Sequence, residues 1–215
     1  GITADSIQTD KTRPTARYTA VLDHTGNLIL GLADMAIYDD LKPTHWQHGR
    51  QAIQHWDHWC VDTNLPADTL HYLASEKADR LLFAVVTSPA KAHRLRQVLP
   101  TLDAVFANNA EADTLVNSNT GTLQTIEEQA RALCDLGALR AIVTAGVNGA
   151  AWADPDRSGH IASPSISPQS VSGAGDVLAG TTIAALLSGE TLEQALTYGT
   201  CAATLSTLSD MNDPH

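Results

Sequence analysis

Basic residues are scarce in this chain. Thirteen Lys and Arg stand against 24 Asp and Glu, giving a net charge of −11 over 215 residues. Nucleic acid and anionic membrane surfaces both need a basic patch, so neither is an expected partner. A small phosphorylated ligand is not excluded, because backbone dipoles bind an anion on an acidic protein too. Cysteine is scarce as well. Cys60, Cys134 and Cys201 lie far apart and form no C-x-x-C pair, which reads as reduced core or surface thiols in a cytoplasmic protein. No apolar run approaches the roughly 20 residues of a membrane span. No G-x-x-x-x-G-K-[ST] phosphate loop occurs. The first residues, Gly1-Ile2-Thr3-Ala4-Asp5-Ser6, carry no basic and apolar leader. They open on Gly rather than Met, so the expectation is that something upstream was removed or lies outside this chain.

What is present suits one domain with a small appendage. The apolar fraction is 43% and the charged fraction 17%, ordinary for a globular protein. Residues 15–23 are β-branched and aromatic at strand density, His24-Thr25-Gly26-Asn27 is a turn, and residues 28–34 resume as a strand. That is a β-hairpin. Pro43 and Thr44 open a helix expected to run to about Cys60, with Ala52, Ile53, Trp56 and Cys60 as its apolar stripe. Residues 61–65 read as the end of a short buried strand. Helices are then expected over 68–80, 90–99, 125–136, 176–188 and 192–205. Strands are expected over 81–86, 104–107, 141–144 and 149–152, a polar turn over 154–159, and a strand edge near Ile166. Strands alternating with helices mean an α/β fold with a mostly parallel sheet. The hairpin does not fit that rhythm and reads as an appended element.

Ligands of open α/β sheets bind beyond the carboxyl ends of the strands. Three stretches fall there. Ser172-Gly173-Ala174-Gly175-Asp176 opens a helix whose free N–H groups and dipole favour an anion, and its Asp can accept a proton from a nearby hydroxyl. The bland alternative is a tight glycine turn with an Asp cap. Asn108-Asn109-Ala110-Glu111 follows a strand, and its Asn and Glu can hold a hydrated Mg²⁺. The alternative is a capping box. Val143-Thr144-Ala145-Gly146-Val147-Asn148-Gly149 could let a nucleotide lie against the backbone, or could be an ordinary strand–turn–strand.

In their order and spacing these stretches resemble the N-x-x-E, T-x-G-x-x-G and G-A-G-D motifs of the ribokinase-like (PfkB) carbohydrate and nucleoside kinases. The hairpin with Ala33-Asp34-Met35-Ala36-Ile37-Tyr38, together with Asp62-Thr63-Asn64-Leu65 and Ser88-Pro89-Ala90-Lys91-Ala92, is similar to the pseudouridine kinase branch. The resemblance runs from about Gly1 to Leu208. It implies a three-layer αβα sandwich, with residues 1–40 as a β-lid and the start of the core, and 41–215 as the core with the nucleotide site. It implies ATP- and Mg²⁺-dependent phosphorylation of a small sugar or nucleoside, most like the 5′-hydroxyl of pseudouridine. Asp176 would be the general base. Gly173, Ala174 and Gly175 would form the anion hole, and Asn108 and Glu111 would organise Mg²⁺ and the phosphates. Thr144, Gly146 and Gly149 would border ATP. Arg17, Asp34 and Lys91 would face substrate or lid, although each is also an ordinary surface charge. A homodimer through the lid and a monovalent cation, K⁺, are further expectations of the family.

Three departures stand out. Ser170 replaces an Asp that many members carry near the cation site. Val85 stands where the pseudouridine branch has an acid. The N-terminal segment that in the family supplies the first strands is not in this sequence, which keeps open a non-catalytic nucleotide-binding protein or another sugar or nucleoside kinase. His45, His48, His55 and His58 form a further cluster. His48 and His55 are two helical turns apart and His58 points elsewhere, so the segment reads as a surface helix and no metal site is expected.

Overall fold

The computed structural model describes residues 7, 9–22, 28–116, 125–166 and 171–208. Two sheets form. Strands β1 (Arg17–Leu22) and β2 (Leu28–Asp34) make an antiparallel hairpin of their own. A short helix, α1 (Ala36–Asp39), and helix α2 (Pro43–Gln54) lead into the core. The core strands are β3 (His58–Asp62), β4 (Leu81–Val85), β5 (Ala104–Asn108), β6 (Ala141–Thr144), β7 (Ala150–Ala153) and β8 (Ser158–Ile161). They lie side by side in chain order. The first four are parallel, and β7 and β8 add on antiparallel.

Period-two alternation sends successive strand residues to opposite faces. Leu82, Ala84, Val105 and Val143 face one side. There they meet α3 (Ala67–Glu76), α4 (Pro89–Ala92), α5 (Asn109–Val116) and α6 (Ile126–Asp135) through Leu70, Ala92, Leu115 and Leu133. Phe83, Phe106, Ile142 and Trp152 face the other side. There they meet α7 (Ala174–Leu187) and α8 (Leu192–Ser206) through Leu178, Leu192 and Leu196. The result is the expected three-layer αβα sandwich. Thr125 and Glu128 cap α6 reciprocally, as do Thr191 and Gln194 for α8, which explains why those helices start where they do.

Several expected boundaries move. The helix opened by Pro43 stops at Gln54, not Cys60, and His58-Trp59-Cys60 is strand. Pairing with β4 decides this: Trp59 and Val61 turn into the core as Leu82 and Ala84 do. Trp56, expected on the helical stripe, is exposed. The helix expected over 90–99 is only α4 followed by isolated 3₁₀ turns at His93–Leu95 and Leu99–Thr101. The polar turn near 154–159 is shorter, because Ser158–Ile161 pairs with β7. Ile166 lies in no strand. The hairpin turn 24–27 and Ser170 lie outside the described residues, so the expectation of a monovalent cation near Ser170 does too.

The cysteines form no disulfide. Burial pushes the Cys134 thiol up to about 11, so it stays protonated and unreactive. Among the described residues no group of His, Cys, Asp and Glu converges on a metal, and no helix is long and apolar enough to cross a membrane.

Candidate active site

The carboxyl ends of β4, β5 and β6 converge on the N-terminus of α7. Asn108 ends β5, Thr144 ends β6, and Thr87 follows β4. Gly173 is the N-cap of α7 with φ 78° and ψ −4°, a left-handed conformation that favours glycine. A Cβ on Gly173 or Gly175 would meet nothing within 4 Å. Gly173 is therefore needed for its conformation, while Gly175 leaves the backbone open to the cavities. Asp176 lies in the first turn of α7, exposed, where the helix dipole favours its negative charge.

Two cavities meet here. The smaller, about 250 Å³, is lined by Thr87, Asn108, Glu111, Thr144, Gly175 and Asp176, among others. The larger, about 480 Å³, runs past Gly146, Gly149, Ser163, Ile166, Ala174 and Thr204. Asn108, Thr144, Gly175 and Leu178 line both. Asp176 and Glu111 touch only the smaller. Gly146 and Gly149 touch only the larger.

Asn108 and Glu111 form the reciprocal capping pair. Asn108 N–H donates to Glu111 Oε2 at 2.8 Å, and Glu111 N–H donates to Asn108 Oδ1 at 3.0 Å. The second carboxylate oxygen takes no part in that pair. Glu111 is only 5% exposed. Burial raises its pKa. The Asn108 hydrogen bond works against that rise, and the charge of Asp176 adds to it. Gln129, buried on α6, donates to Asn109 Oδ1 at 2.7 Å and fixes the turn from behind.

The β6–β7 connection is held by Ala145 N–H to Gly149 C=O at 2.8 Å and Gly149 N–H to Gly146 C=O at 3.0 Å. Gly149 has φ 86° and ψ −150°, and a Cβ there would collide with the Ile161 carbonyl. Gly149→Ala is therefore expected to cost on the order of 1–3 kcal/mol from backbone strain alone. In a chain of this size that lowers Tm by about 2–4 °C per kcal/mol. Thermal unfolding checks it; an unchanged Tm would show that the loop relaxes.

Most of the expected site residues thus come together on the two cavities: Asp176, Ala174, Gly175, Asn108, Glu111, Thr144, Gly146 and Gly149, with Gly173 next to them in sequence but on neither lining. Arg17, Asp34 and Lys91 do not line either cavity. Arg17 and Asp34 are exposed and stand opposite each other at the root of the hairpin. Lys91 is half-buried and donates to Asn64 Oδ1 at 2.7 Å. Sequence reasoning missed Thr87 on the smaller cavity, and also Thr200 and Thr204 of α8 and Thr207 at its C-cap, which line the larger cavity. The recurrence of Thr at intervals of four and three in an Ala-rich helix was the available signal.

A family model of pfkB family carbohydrate kinases matches residues 1–211. The chain belongs to that family. It is 25% identical over 143 residues to ATP-dependent 6-phosphofructokinase isozyme 2 of Escherichia coli, covering 66% of this chain and 46% of that protein. It is equally 25% identical, over 166 residues, to the pseudouridine kinase of Escherichia coli, covering 76% of this chain and 53% of that protein. Among solved structures, a carbohydrate kinase from Agrobacterium tumefaciens matches with TM-score 0.77 and 32% identity, over 93% of this chain and 64% of that one. The fold is ribokinase-like. The chain spans about half the length of the curated relatives it matches.

Proposed function

We propose that this PfkB chain carries a phosphotransferase site that moves the γ-phosphoryl group of ATP to an alcohol of a small sugar or nucleoside. The observation behind this reading is the pair of cavities meeting at the N-terminus of α7, with Asp176 on the smaller side only. ATP would lie in the larger cavity against Thr144, Gly146 and Gly149, and the acceptor in the smaller. Asp176 would take the proton of the attacking hydroxyl as the new O–P bond forms and the bond from the γ-phosphorus to the ADP oxygen breaks. The N–H groups of Gly173, Ala174 and Gly175 would stabilise the charge on the migrating group, without reorganising to do so.

Bound Mg²⁺ would supply charge neutralisation on the phosphates. The donor set fits that use. Glu111 has a carboxylate oxygen outside its capping pair, Asn108 lines both cavities, and no closed protein cage exists among the described residues. Magnesium held mainly through water and phosphate needs no more. The hairpin is read as a lid over the acceptor, and residues 41–215 as the core. Its exposed Val21, Leu30 and Leu32 share one face of the hairpin, which supports a dimer through the lid.

The acceptor we infer is the 5′-hydroxyl of pseudouridine. The similarity to pseudouridine kinase supports it, and the equal identity to a phosphofructokinase keeps other sugars in play. The position of Arg17, Asp34 and Lys91 away from the cavities favours one second reading, a nucleotide-binding protein without turnover. A coupled ADP-release assay with pseudouridine, uridine, ribose and fructose 6-phosphate, with and without Mg²⁺, separates these. Mg²⁺-dependent turnover fastest with pseudouridine is the expected result. Faster turnover of another acceptor overturns the substrate, and ATP binding without turnover of any overturns the kinase reading.

A further inference from the structure

Arg94 makes four side-chain hydrogen bonds, and it lines neither cavity. It sits in the 3₁₀ turn His93–Leu95 that follows α4. Its Nη1 donates to three successive carbonyls, those of Thr63 at 3.2 Å, Asn64 at 2.9 Å and Leu65 at 3.4 Å. Its Nη2 donates to Asp39 Oδ1 at 3.2 Å. One planar group therefore joins the loop after β3 to helix α1, which follows the hairpin directly.

Both partners lead somewhere. On the core side, Thr63 Oγ1 accepts from Thr87 N–H at 2.9 Å and shares a hydroxyl hydrogen bond with Thr87 Oγ1 at 2.8 Å. Thr87 lines the smaller cavity. Asn64 is pinned by Asp62 and by Lys91. On the hairpin side, Asp39 lies five residues beyond Asp34, the last residue of β2. The other root of the hairpin returns to the same place: Arg13, four residues before β1, binds Asp40 at 2.6 Å and the Ala36 carbonyl at 3.1 Å. Both ends of the hairpin thus finish on α1, and α1 is tied to the cavity rim through Arg94.

We propose that Arg94 is a positioning residue that locks the root of the hairpin to the rim of the smaller cavity and so sets the affinity for the acceptor. The proposal rests on the kinase reading for its effect on acceptor affinity; the lock itself does not. The chemistry suits arginine. A guanidinium presents several donors in a rigid plane and can serve backbone carbonyls and a carboxylate at once, whereas a lysine is a single flexible point charge.

Asp39 gives the cleanest test, since its side chain is 60% exposed and its loss leaves the three carbonyl contacts in place. In Asp39→Asn, hydrogen exchange of the amides in 17–22 and 28–41 should rise about 2–5-fold, the range expected of a partly exposed ion pair, with 63–65 unchanged. In Arg94→Lys it should rise about tenfold or more, because charge-assisted hydrogen bonds are lost on both sides. The KM of the acceptor should rise in step while the KM of ATP stays put, and Asp39→Glu should restore both readouts. Unchanged exchange in Asp39→Asn overturns the lock, even if Arg94→Lys fails to fold. Faster exchange with an unchanged acceptor KM overturns the link to the acceptor. If the unsubstituted chain turns over no acceptor, the kinase reading fails by itself, and exchange alone decides the lock.

Discussion

Asp176→Asn lowers turnover by about 10²–10⁴-fold, the usual contribution of a positioned general base, while ATP binding persists. The geometry makes this a clean substitution. Asp176 is exposed in the first turn of α7, and Asn keeps its size and its capacity to face the helix N-terminus. Loss of a favourable charge at that terminus costs at most about 1 kcal/mol, too little to unfold the chain. Asp176 also helps to raise the pKa of Glu111, so in the variant Glu111 should ionise at lower pH than in the parent. Steady-state kinetics and ATP titration calorimetry read the two main effects. Full turnover in Asp176→Asn would remove Asp176 from its role as base.

Glu111 separates two uses of one side chain. Its capping hydrogen bond to Asn108 needs an acceptor oxygen, which Gln also offers; a role towards Mg²⁺ needs the carboxylate. Burial holds the folded pKa above its ordinary 4.5. The contribution of such a group to stability is fully present below the unfolded pKa and is lost as pH rises through the folded one. At neutral pH the ionised, buried carboxylate is therefore a cost. Glu111→Gln should unfold at the same temperature as the parent or higher at pH 7, and the difference should vanish in acid. Its turnover should still fall by about 10–100-fold, as is typical when a group supporting a metal site is lost. Glu111→Ala should instead lose about 0.5–2 kcal/mol of stability, because the capping pair with Asn108 is broken. If Gln destabilises as much as Ala, the carboxylate is structural. If Gln keeps full turnover, Glu111 has no part in the phosphate chemistry.

The stretch Asn108–Glu111 also shows how far the sequence could be read. Both readings of it, capping box and phosphate-side pair, were available from the spacing, and the structure contains the capping box at the edge of both cavities. Strands β4, β5 and β6 were legible because each is a continuous apolar run buried on both faces. Strand β3 was legible only at its end, Val61 and Asp62, because its His58 and Cys60 face outward at the sheet edge and pairing with β4 makes the earlier part a strand. Strand β8 failed for a similar reason: Ser-Gly-His-Ile has little strand character of its own and is held by β7. Gly159 in that strand lets the ring of Trp152 lie against the backbone, a contact no local pattern announces.

The candidate site was legible where a motif sits at a strand end or a helix start, as at Thr144 and Asp176. It was not legible where the cavity wall comes from distant chain. Thr87 and the threonines of α8 are brought in by the sheet order and by the packing of α8 on Trp152 and Ile161. The lid residues were the weakest expectation, since Arg17 and Asp34 pair across the hairpin register instead of facing a cavity. Helix α7 adds a physical point of its own. It is apolar on all sides, yet only Leu178, Ala179 and Thr182 are buried, and Leu187 is 40% exposed. Helices of that composition are usually enclosed.

The central claim is that the N-terminus of α7 lies between a nucleotide and its acceptor. A crystal structure with a non-hydrolysable ATP analogue, Mg²⁺ and pseudouridine measures this directly. The expected result is the terminal phosphate at the N–H groups of Gly173–Gly175, the nucleoside in the smaller cavity, and its 5′-hydroxyl within hydrogen-bond reach of the Asp176 carboxylate. A nucleotide whose phosphates point away from α7, or an acceptor bound out of reach of Asp176, would contradict it.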